Sequence, residues 1–390
     1  MNILKIENEK FNNISEGMKK NLGIEKLQLY FPIMSLYFNY YNNDSYKKFT
    51  LKSRKFISSI GEKIENKYKD SYIKNMFLCE VFDTRTNKVI KNREVFIKIL
   101  PVLDMLSFMK NDYKTSDAEL PNIYNFLTCK KLNSYHNSAY IDNFFTYLGS
   151  KLVDLNLCPT FPEYFGSFTG IADNFDFDVT EEYSQLVDIN WFKNGLDKNF
   201  TLKKVENEKI SQYLSDIENL EFVESKDSND SNDSNDSNDS NDSNGCLDSD
   251  LDLDDLNEML KNDSEDFFEN KKPESRSSSV SENSDSLSVD SFNSDISIEE
   301  SLRYLHYISV KNFPVQLVCL EKLESTLDNL IENGYNISES EWKSILFQIC
   351  FGLSVAQKNY DFIHNDLHSS NIMFKKTEEN FLYFRYKNKY

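Results

Sequence analysis

The residues best suited to chemistry lie near the end of the chain, in the segment from Phe362 to Phe374. It holds His364, Asp366 and Asn371, with apolar residues on both sides. An aspartate in such a loop can accept the proton of an attacking hydroxyl group. The side-chain oxygen of an asparagine five residues later can hold a metal ion against phosphate groups. The spacing therefore predicts a phosphoryl-transfer centre, with Asp366 as proton acceptor and Asn371 as metal ligand.

Each of these three residues also has an ordinary structural interpretation. A loop aspartate or asparagine commonly caps a turn, and a histidine beside apolar residues commonly packs against them. The offsets between Asp366 and Asn371 favour the chemical interpretation for that pair. His364 is grouped with them as a catalytic-loop residue, but we expect it to pack under the loop rather than to take part in the reaction.

The elements that must position this loop are predicted in two separate stretches of the chain. Residues 76–83 and 93–100 are apolar and β-branched or aromatic, and the turn-like residues between them predict a β-hairpin. Helical spacing predicts an amphipathic helix over 138–157. The remaining predictions are strands at Glu163–Thr169, Tyr304–Val310 and Val315–Leu320, a helix starting at Leu327, a long helix from Glu339 to about Asn359 capped by Ser338, and a strand-like run at Phe381–Tyr390.

An acidic, serine-rich stretch separates these two parts of the chain. Residues 221–300 hold 25 acidic and 5 basic residues, which accounts for the whole net charge of −20. Asp-Ser-Asn occurs six times in succession from Asp227 to Asn244. Such a segment buries too little apolar surface to offset chain entropy, so residues 225–297 are predicted to be a disordered insertion. Its serines followed by acids are candidate phosphorylation sites for an acid-directed kinase.

The composition excludes several other functions. The rest of the chain has balanced charge, which gives it no bulk electrostatic reason to bind nucleic acid or an anionic membrane. The six cysteines are scattered and only four histidines occur, so we expect reduced thiols rather than a zinc site. No signal peptide and no apolar stretch of membrane-spanning length are visible. The expected location is therefore intracellular, in the cytoplasm or nucleus or associated with a virion.

The order of elements and four sequence segments resemble the eukaryotic-type protein kinases, and more narrowly the serine/threonine-protein kinases of large DNA viruses. The segments are 138–148, 158–168, 315–323 and the 362–374 loop. The resemblance extends over about residues 55–170 and 300–390. It implies an α+β, protein-kinase-like fold with a small β-rich lobe, the start of a helical large lobe, and a long disordered acidic insertion.

The resemblance also implies boundaries along the chain. They are an N-terminal extension (1–54), the first part of the small lobe (55–224), the insertion (225–297), the end of the small lobe with the hinge (298–323), and the start of a large lobe with the catalytic loop (324–390). No Asp-Phe-Gly follows the loop. We therefore expect a truncated large lobe and a chain that is weak or inactive in isolation.

The resemblance implies further site residues. Lys98, at the end of Val95-Phe-Ile-Lys98, would bind the α- and β-phosphates of ATP. In protein kinases this lysine pairs with a helix glutamate. The helix 138–157 has no glutamate and offers only Asp142 and Asp154, of which Asp142 is the predicted partner. In the hinge, the carbonyl of Glu321 and the N–H of Leu323 would contact adenine.

Two further predictions concern the surroundings of the nucleotide. The base would lie between Val81, Ile97 and Leu320. Gly61 is the only glycine where a phosphate loop is expected, which predicts weak nucleotide binding.

The predicted function is transfer of the ATP γ-phosphoryl group to a serine or threonine of a protein, with Mg²⁺. Its predicted partners are ATP, a protein substrate and a separate chain that supplies the rest of the large lobe, with no nucleic acid and no membrane. One alternative is a pseudokinase scaffold that binds a basic partner through the acidic insertion. A second alternative is a small-molecule kinase, because His368 stands where protein kinases usually have lysine.

Overall fold

A computed structural model describes residues 3–36, 47–64, 75–113, 119–123, 129–206, 304–385 and 389. The predicted acidic insertion at 225–297 lies outside these residues. The strands are β1 Ile3–Lys5, β2 Ile24–Gln28, β3 Phe49–Leu51, β4 Lys55–Lys63, β5 Met76–Asp83, β6 Lys88–Pro101, β7 Tyr164–Asp178, β8 Phe200–Glu206, β9 Tyr304–Glu321, β10 Ser325–Thr326 and β11 Met373–Phe374.

The helices are α1 Asn8–Leu22, α2 Met105–Met109, α3 Lys130–Asn133, α4 Ser138–Asp154, α5 Tyr183–Leu186, α6 Asn190–Gly195, α7 Leu327–Glu332 and α8 Glu339–Tyr360. Short 3-10 turns cover Pro32–Leu36 and Ser369–Asn371. None of the helices in the described part of the chain is both long and apolar enough to span a membrane.

The main sheet has seven antiparallel strands in the order β2-β7-β9-β6-β5-β4, with β8 paired to β9. Strand β2 belongs to the predicted N-terminal extension, yet it forms an edge of this sheet through its pairing with β7. Phe77, Phe165, Phe168 and Phe313 are fully buried in the core that the sheet and helices enclose. The antiparallel sheet with helices around it is compatible with an α+β fold.

The predicted hairpin is present as β5 and β6, with Asn87 in the left-handed conformation in the turn. The predicted helix 138–157 is present as α4. The long helix is present as α8, whose Ser338 and Glu341 form a capping box at its start. A capping box satisfies two otherwise unpaired backbone donors, which explains why the sequence indicated this boundary well.

The prediction of two strands at Tyr304–Val310 and Val315–Leu320 is wrong, because β9 runs without a break from Tyr304 to Glu321. One edge of β9 pairs with β7 along nearly its whole length. The other edge pairs first with β8 and then with β6, and residues 311–314 lie between these two partners. A proline is tolerated where a strand edge lacks a partner, so Pro314 does not end the strand.

The strand-like run at Phe381–Tyr390 is also not a strand in the described residues. Residues 381–385 have no regular secondary structure. Phe384 instead packs its ring against Phe347 and Phe351 of α8, at centroid distances of 5.2 and 5.0 Å. A strand needs a partner edge, and the ring of Phe384 packs on the surface of α8 instead.

Candidate functional site

Lys98 and Asp142 form an ion pair between β6 and α4, with 3.0 Å between Nζ and Oδ2. Strand alternation places Val95 and Ile97 in the core and turns Lys98 to the other face. Both charged side chains are 40% exposed, so the pair borders solvent and is open to a ligand.

Asn137 fixes the start of α4 relative to β6. Its Oδ1 accepts a hydrogen bond from the N–H of Ala139 and thereby caps the helix. Its Nδ2 donates to the carbonyl of Val102 at 2.7 Å, just beyond the end of β6. Because one buried side chain makes both contacts, the first turns of α4, including Asp142, are held at a defined distance from the strand that carries Lys98.

The predicted adenine-contacting set is partly wrong. Val81 and Ile97 have no exposed surface, so neither is available to contact a base. Ile97 also points away from Lys98, since adjacent strand residues face opposite sides of a sheet. On the Lys98 face, Phe96 lies opposite Leu320 of β9, and both are half-buried. The structure therefore keeps Leu320 as a candidate and adds Phe96.

The predicted hinge residues lie at the end of β9. The N–H of Glu321 donates to the carbonyl of Glu163 at 3.0 Å. Lys322 forms an ion pair with Glu94 of β6 at 3.2 Å. Leu323 follows in the short connection to β10 and is half-buried. These contacts tie the chain to β6 and to the segment before β7 immediately before Leu323. The contact of Leu323 with adenine stays a prediction.

Gly61 lies inside the paired part of β4, near an irregularity in its pairing with β5. A Cβ atom built on it would lie 2.3 Å from the carbonyl oxygen of Leu78. Glycine is therefore required here for close backbone approach. Its role in phosphate binding stays a prediction, and residues 65–74, between β4 and β5, lie outside the described residues.

Asp366 and Asn371 are brought together in the loop after α8. Asn371 Nδ2 donates to Asp366 Oδ2 and to the Asp366 carbonyl, each at 3.0 Å. His368 Nε2 lies 2.8 Å from the same Nδ2 and 3.7 Å from Asp366 Oδ1. The Asp366 side chain is 77% exposed, so a substrate hydroxyl has access to it.

The remaining side-chain atom of Asn371, Oδ1, is the one that can ligate a metal. The described part of the chain has no group of three or more His, Cys, Asp or Glu side chains suited to a metal ion. Mg²⁺ characteristically binds through one or two carboxylates together with substrate phosphates and water. Asp366 and Asn371 fit that limited requirement, because a carboxylate and an amide oxygen lie on adjacent side chains.

Asp328 of α7 anchors the middle of the loop. Its two carboxylate oxygens accept hydrogen bonds from the hydroxyl groups of Ser369 and Ser370, both at 2.8 Å. These bonds, with Ser369 contributing most, hold the pKa of Asp328 below its ordinary value. The β10–β11 pairing and a 2.7 Å bond from the Leu327 N–H to the Ile372 carbonyl fix the end of the loop.

His364 and Phe362 form the packed entry to the loop. Their rings lie edge to face at 6.0 Å, and Phe362 contacts Phe145 of α4 at 5.3 Å. The Nδ1 atom of His364 is buried without a hydrogen-bond partner. This packing agrees with the structural interpretation of His364, because none of these contacts aims the ring at Asp366.

Helix α4 connects the two parts of the candidate site. Asp142 and Phe145 are three residues apart, and residues at this spacing are neighbours on a helix surface. Asp142 pairs with Lys98, and Phe145 contacts the loop entry at Phe362. The lysine–aspartate pair and the loop are therefore attached to the same face of one helix.

The structure also brings charged residues together around the side chain of Glu321, in contacts that sequence reasoning missed. They form a cluster at the end of β9, defined here as the hinge cluster: Lys55, Arg93, Glu163, Glu321 and Lys375. Lys375 and Glu321 are 54 residues apart, and no local pattern links them. Asp328 was missed for the same reason, since its partners follow about forty residues later.

Comparisons with known proteins show one short similarity. Over 42 residues the chain is 40% identical to a protein of Dictyostelium discoideum described as a probable serine/threonine-protein kinase. The matched region is 11% of this chain and 3% of that protein. No family model matches the chain. No solved structure matches it either. The comparisons therefore indicate a local similarity to a serine/threonine kinase.

Proposed function

We propose that this chain is a protein-kinase-like phosphotransferase that binds ATP between the β6–α4 ion pair and the loop after α8. The observation that carries the proposal is the shared face of α4, where Asp142 holds Lys98 and Phe145 contacts the loop entry. A phosphoryl-transfer site needs a fixed cation for the phosphates and a fixed carboxylate for the hydroxyl. The short similarity to a serine/threonine kinase supports the same reaction class.

In this proposal Lys98 binds the α- and β-phosphates, and Asp142 keeps its ammonium aimed at them. Asp366 accepts the proton of the attacking hydroxyl. Its hydrogen bonds from Asn371 fix the carboxylate within the loop. Backbone groups of Glu321 and Leu323 would bind adenine, and Phe96 and Leu320 would contact the base.

Asn371 Oδ1 and the Asp366 carboxylate would hold Mg²⁺ together with the ATP phosphates. The metal, when bound, neutralises charge that develops on the transferring phosphoryl group. The side-chain bonds from Ser369 and Ser370 to Asp328 hold the two residues that immediately precede Asn371.

A serine or threonine hydroxyl of a protein is the proposed phosphate acceptor, since the similar protein is described as a serine/threonine kinase. A small-molecule acceptor is a second candidate, favoured by His368. Its ring is turned toward Asn371 Nδ2 at 2.8 Å, so it does not reach out as a long lysine side chain would. Transfer to a generic protein rather than to small aminoalcohols or aminoglycosides would decide between the two.

Binding of ATP by the purified chain, measured by isothermal titration calorimetry, tests the proposal. Wild type should bind ATP, and Lys98→Met should weaken binding at least about tenfold because a fixed charge contact to phosphate is lost. Lys91→Met is the matched control, since Lys91 lies on the same strand and is 75% exposed. Equal affinities for the Lys98 and Lys91 variants would count against the proposed site.

No ATP binding by wild type, together with tight binding of a basic protein through residues 225–297, would favour the scaffold alternative.

Phosphoryl transfer from radiolabelled ATP tests the role of Asp366. Asp366→Asn should lower any transfer that wild type supports by about 100-fold or more, because the proton acceptor is lost. ATP affinity measured without Mg²⁺ should remain, because the Asp366 carboxylate would contact the phosphates only through the metal. Transfer that is as fast in Asp366→Asn as in wild type would exclude this residue as the proton acceptor.

A further inference from the structure

The hinge cluster lies on the opposite face of β6 from the phosphate-binding lysine. Arg93 and Lys98 are five residues apart on a regular part of the strand, so their side chains point to opposite sides. Arg93 and Glu321 share a face, because Val95 lies directly opposite Glu321 in the sheet. A nucleotide on the Lys98 face would therefore not touch the side chains of this cluster.

Glu321 is the centre of the hinge cluster. Its Oε1 accepts a hydrogen bond from the N–H of Glu163 at 2.9 Å. Its Oε2 accepts from Lys375 Nζ at 2.7 Å and from Arg93 Nη2 at 3.4 Å. The side chain of Glu321 is only 10% exposed, so these contacts are poorly screened by water.

Glu163 extends the cluster to β4 and supplies its second carboxylate. It accepts a hydrogen bond from Arg93 Nη2 at 3.0 Å and pairs with Lys55. Arg93 therefore bridges two carboxylates. Because this part of the cluster belongs to the sheet and to the segment before β7, Glu321 stays paired when Lys375 is removed.

Lys375 is the member of the cluster that comes from the loop. It follows β11 directly and lies four residues after Asn371. Its contact with Glu321 connects the end of the loop to the end of β9, a span of 54 residues along the chain. The side chain of Lys375 is 46% exposed, so its replacement does not create a buried cavity.

We infer that Glu321 and Lys375 are a pair of positioning residues, which hold Asn371 at the correct distance from a nucleotide bound at the hinge. This inference rests on the proposed function and adds a residue pair to it. The backbone of Glu321 would contact adenine while its side chain anchors the loop, so one residue sets the position of both. Neither side chain touches the reacting atoms.

Two measurements on the purified chain test this inference. The first is hydrogen exchange at the amides of Glu324 and Leu327, which donate to the carbonyls of Phe374 and Ile372 in the loop. The second is the gain in ATP affinity on adding Mg²⁺, taken as the ratio of dissociation constants without and with the metal. The variants are Lys375→Met, Lys375→Arg as the conservative replacement, and Lys376→Met as a control at the exposed neighbouring lysine.

Lys375→Met should raise exchange at both amides by about fivefold, since a partly exposed ion pair is lost. It should reduce the Mg²⁺-dependent gain in ATP affinity by a similar factor and leave metal-free ATP binding unchanged. Lys375→Arg should restore both properties, and Lys376→Met should change neither. Glu321→Gln combined with Lys375→Met should add little to the exchange of the single variant, because Lys375 is the cluster member through which Glu321 contacts the loop.

Unchanged exchange in Lys375→Met would overturn the inference, even in a chain that binds ATP normally. Faster exchange with an unaltered Mg²⁺ gain would also overturn it, because the pair would then only stabilise the fold. Absence of ATP binding by wild type would instead refute the proposed function. The hydrogen-exchange measurement does not require ATP, so its result would still stand. The two failures are therefore distinguishable.

Discussion

The ammonium of Lys98 lies 3.0 Å from the carboxylate of Asp142, an acid one methylene shorter than glutamate. The other acid of α4, Asp154, bonds instead to Lys151 at 3.1 Å in the last turn of the helix. The shorter side chain of Asp142 can reach the strand because Asn137 holds the start of α4 close to the end of β6. The backbone arrangement thus compensates for the shorter side chain.

Asp142→Asn is expected to weaken ATP binding about tenfold, because the uncharged amide no longer holds the ammonium of Lys98 in place. Thermal stability should change little, since exposed ion pairs contribute about 1 kcal/mol or less. Calorimetric titration with ATP measures the first effect and thermal unfolding the second. Asp154→Asn is the matched control on the same helix, and an equal loss of ATP affinity there would contradict a specific role for Asp142.

Local patterns predicted the elements of this chain better than the contacts between them. The capping box at Ser338 and the turn before β6 are local signals, and both led to correct elements. Asp142 was identified because α4 offers few acids. The continuity of β9 was not predictable, since Pro314 is tolerated only because two strands that are distant in sequence share one of its edges.

In the loop, too, the contact between residues close in sequence was predictable and the contacts with distant residues were not. The spacing of Asp366 and Asn371 is visible in the sequence, and the structure places their side chains 3.0 Å apart. Asp328 and Lys375 were not predictable, because their partners lie 41 and 54 residues away and no motif marks them. Ion pairs between distant residues depend on the final packing, which sequence periodicity does not encode.

Asn371→Asp is expected to make the loop depend on a divalent cation. The substitution places two carboxylates where Asn371 now donates to Asp366 at 3.0 Å. Like charges at this distance repel, so the melting temperature should fall at neutral pH in a chelator. Addition of Mg²⁺ should restore it, because the cation neutralises both groups. Thermal unfolding with and without Mg²⁺ measures this dependence.

The control for this experiment is Asn359→Asp in α8. Asn359 Nδ2 donates to the backbone carbonyl of Val355, so a carboxylate there meets no second carboxylate through this contact. Its stability should not respond to Mg²⁺. A similar Mg²⁺ response in both variants would show that the cation acts elsewhere, and the Asp366–Asn371 pair would lose its assignment as a metal site.

The contact between Asp328 and the two serines should make loop stability depend on pH. The pKa of Asp328 is lowered in the folded chain, first by the hydroxyl of Ser369 and then by that of Ser370. A carboxyl group with a lowered folded-state pKa stabilises the fold above its unfolded pKa of about 4. This contribution is lost as the pH falls through the lower folded-state value, because protonation weakens the hydroxyl–carboxylate bonds.

The double variant Ser369→Ala with Ser370→Ala is therefore expected to melt below wild type at neutral pH. The difference in melting temperature should shrink as the pH falls below about 4. Ser354→Ala is the control, because its hydroxyl donates to the neutral backbone carbonyl of Cys350. A difference between wild type and the double variant that stays constant down to the acid limit would argue against an ionised Asp328 as the acceptor.

Gly61→Ala is expected to lower the free energy of unfolding by about 1–3 kcal/mol, because the added methyl group forces the backbone to move. The carbonyl oxygen of Leu78 would lie only 2.3 Å from the new Cβ atom. Chemical denaturation measures this loss, and Ser59→Ala in the same strand is the control for a small side-chain change.

ATP affinity of Gly61→Ala, measured where the variant is fully folded, should stay close to wild type if the glycine serves only strand packing. Lost ATP affinity without lost stability would instead assign Gly61 to phosphate binding, because the close approach to Leu78 would then not be what requires glycine.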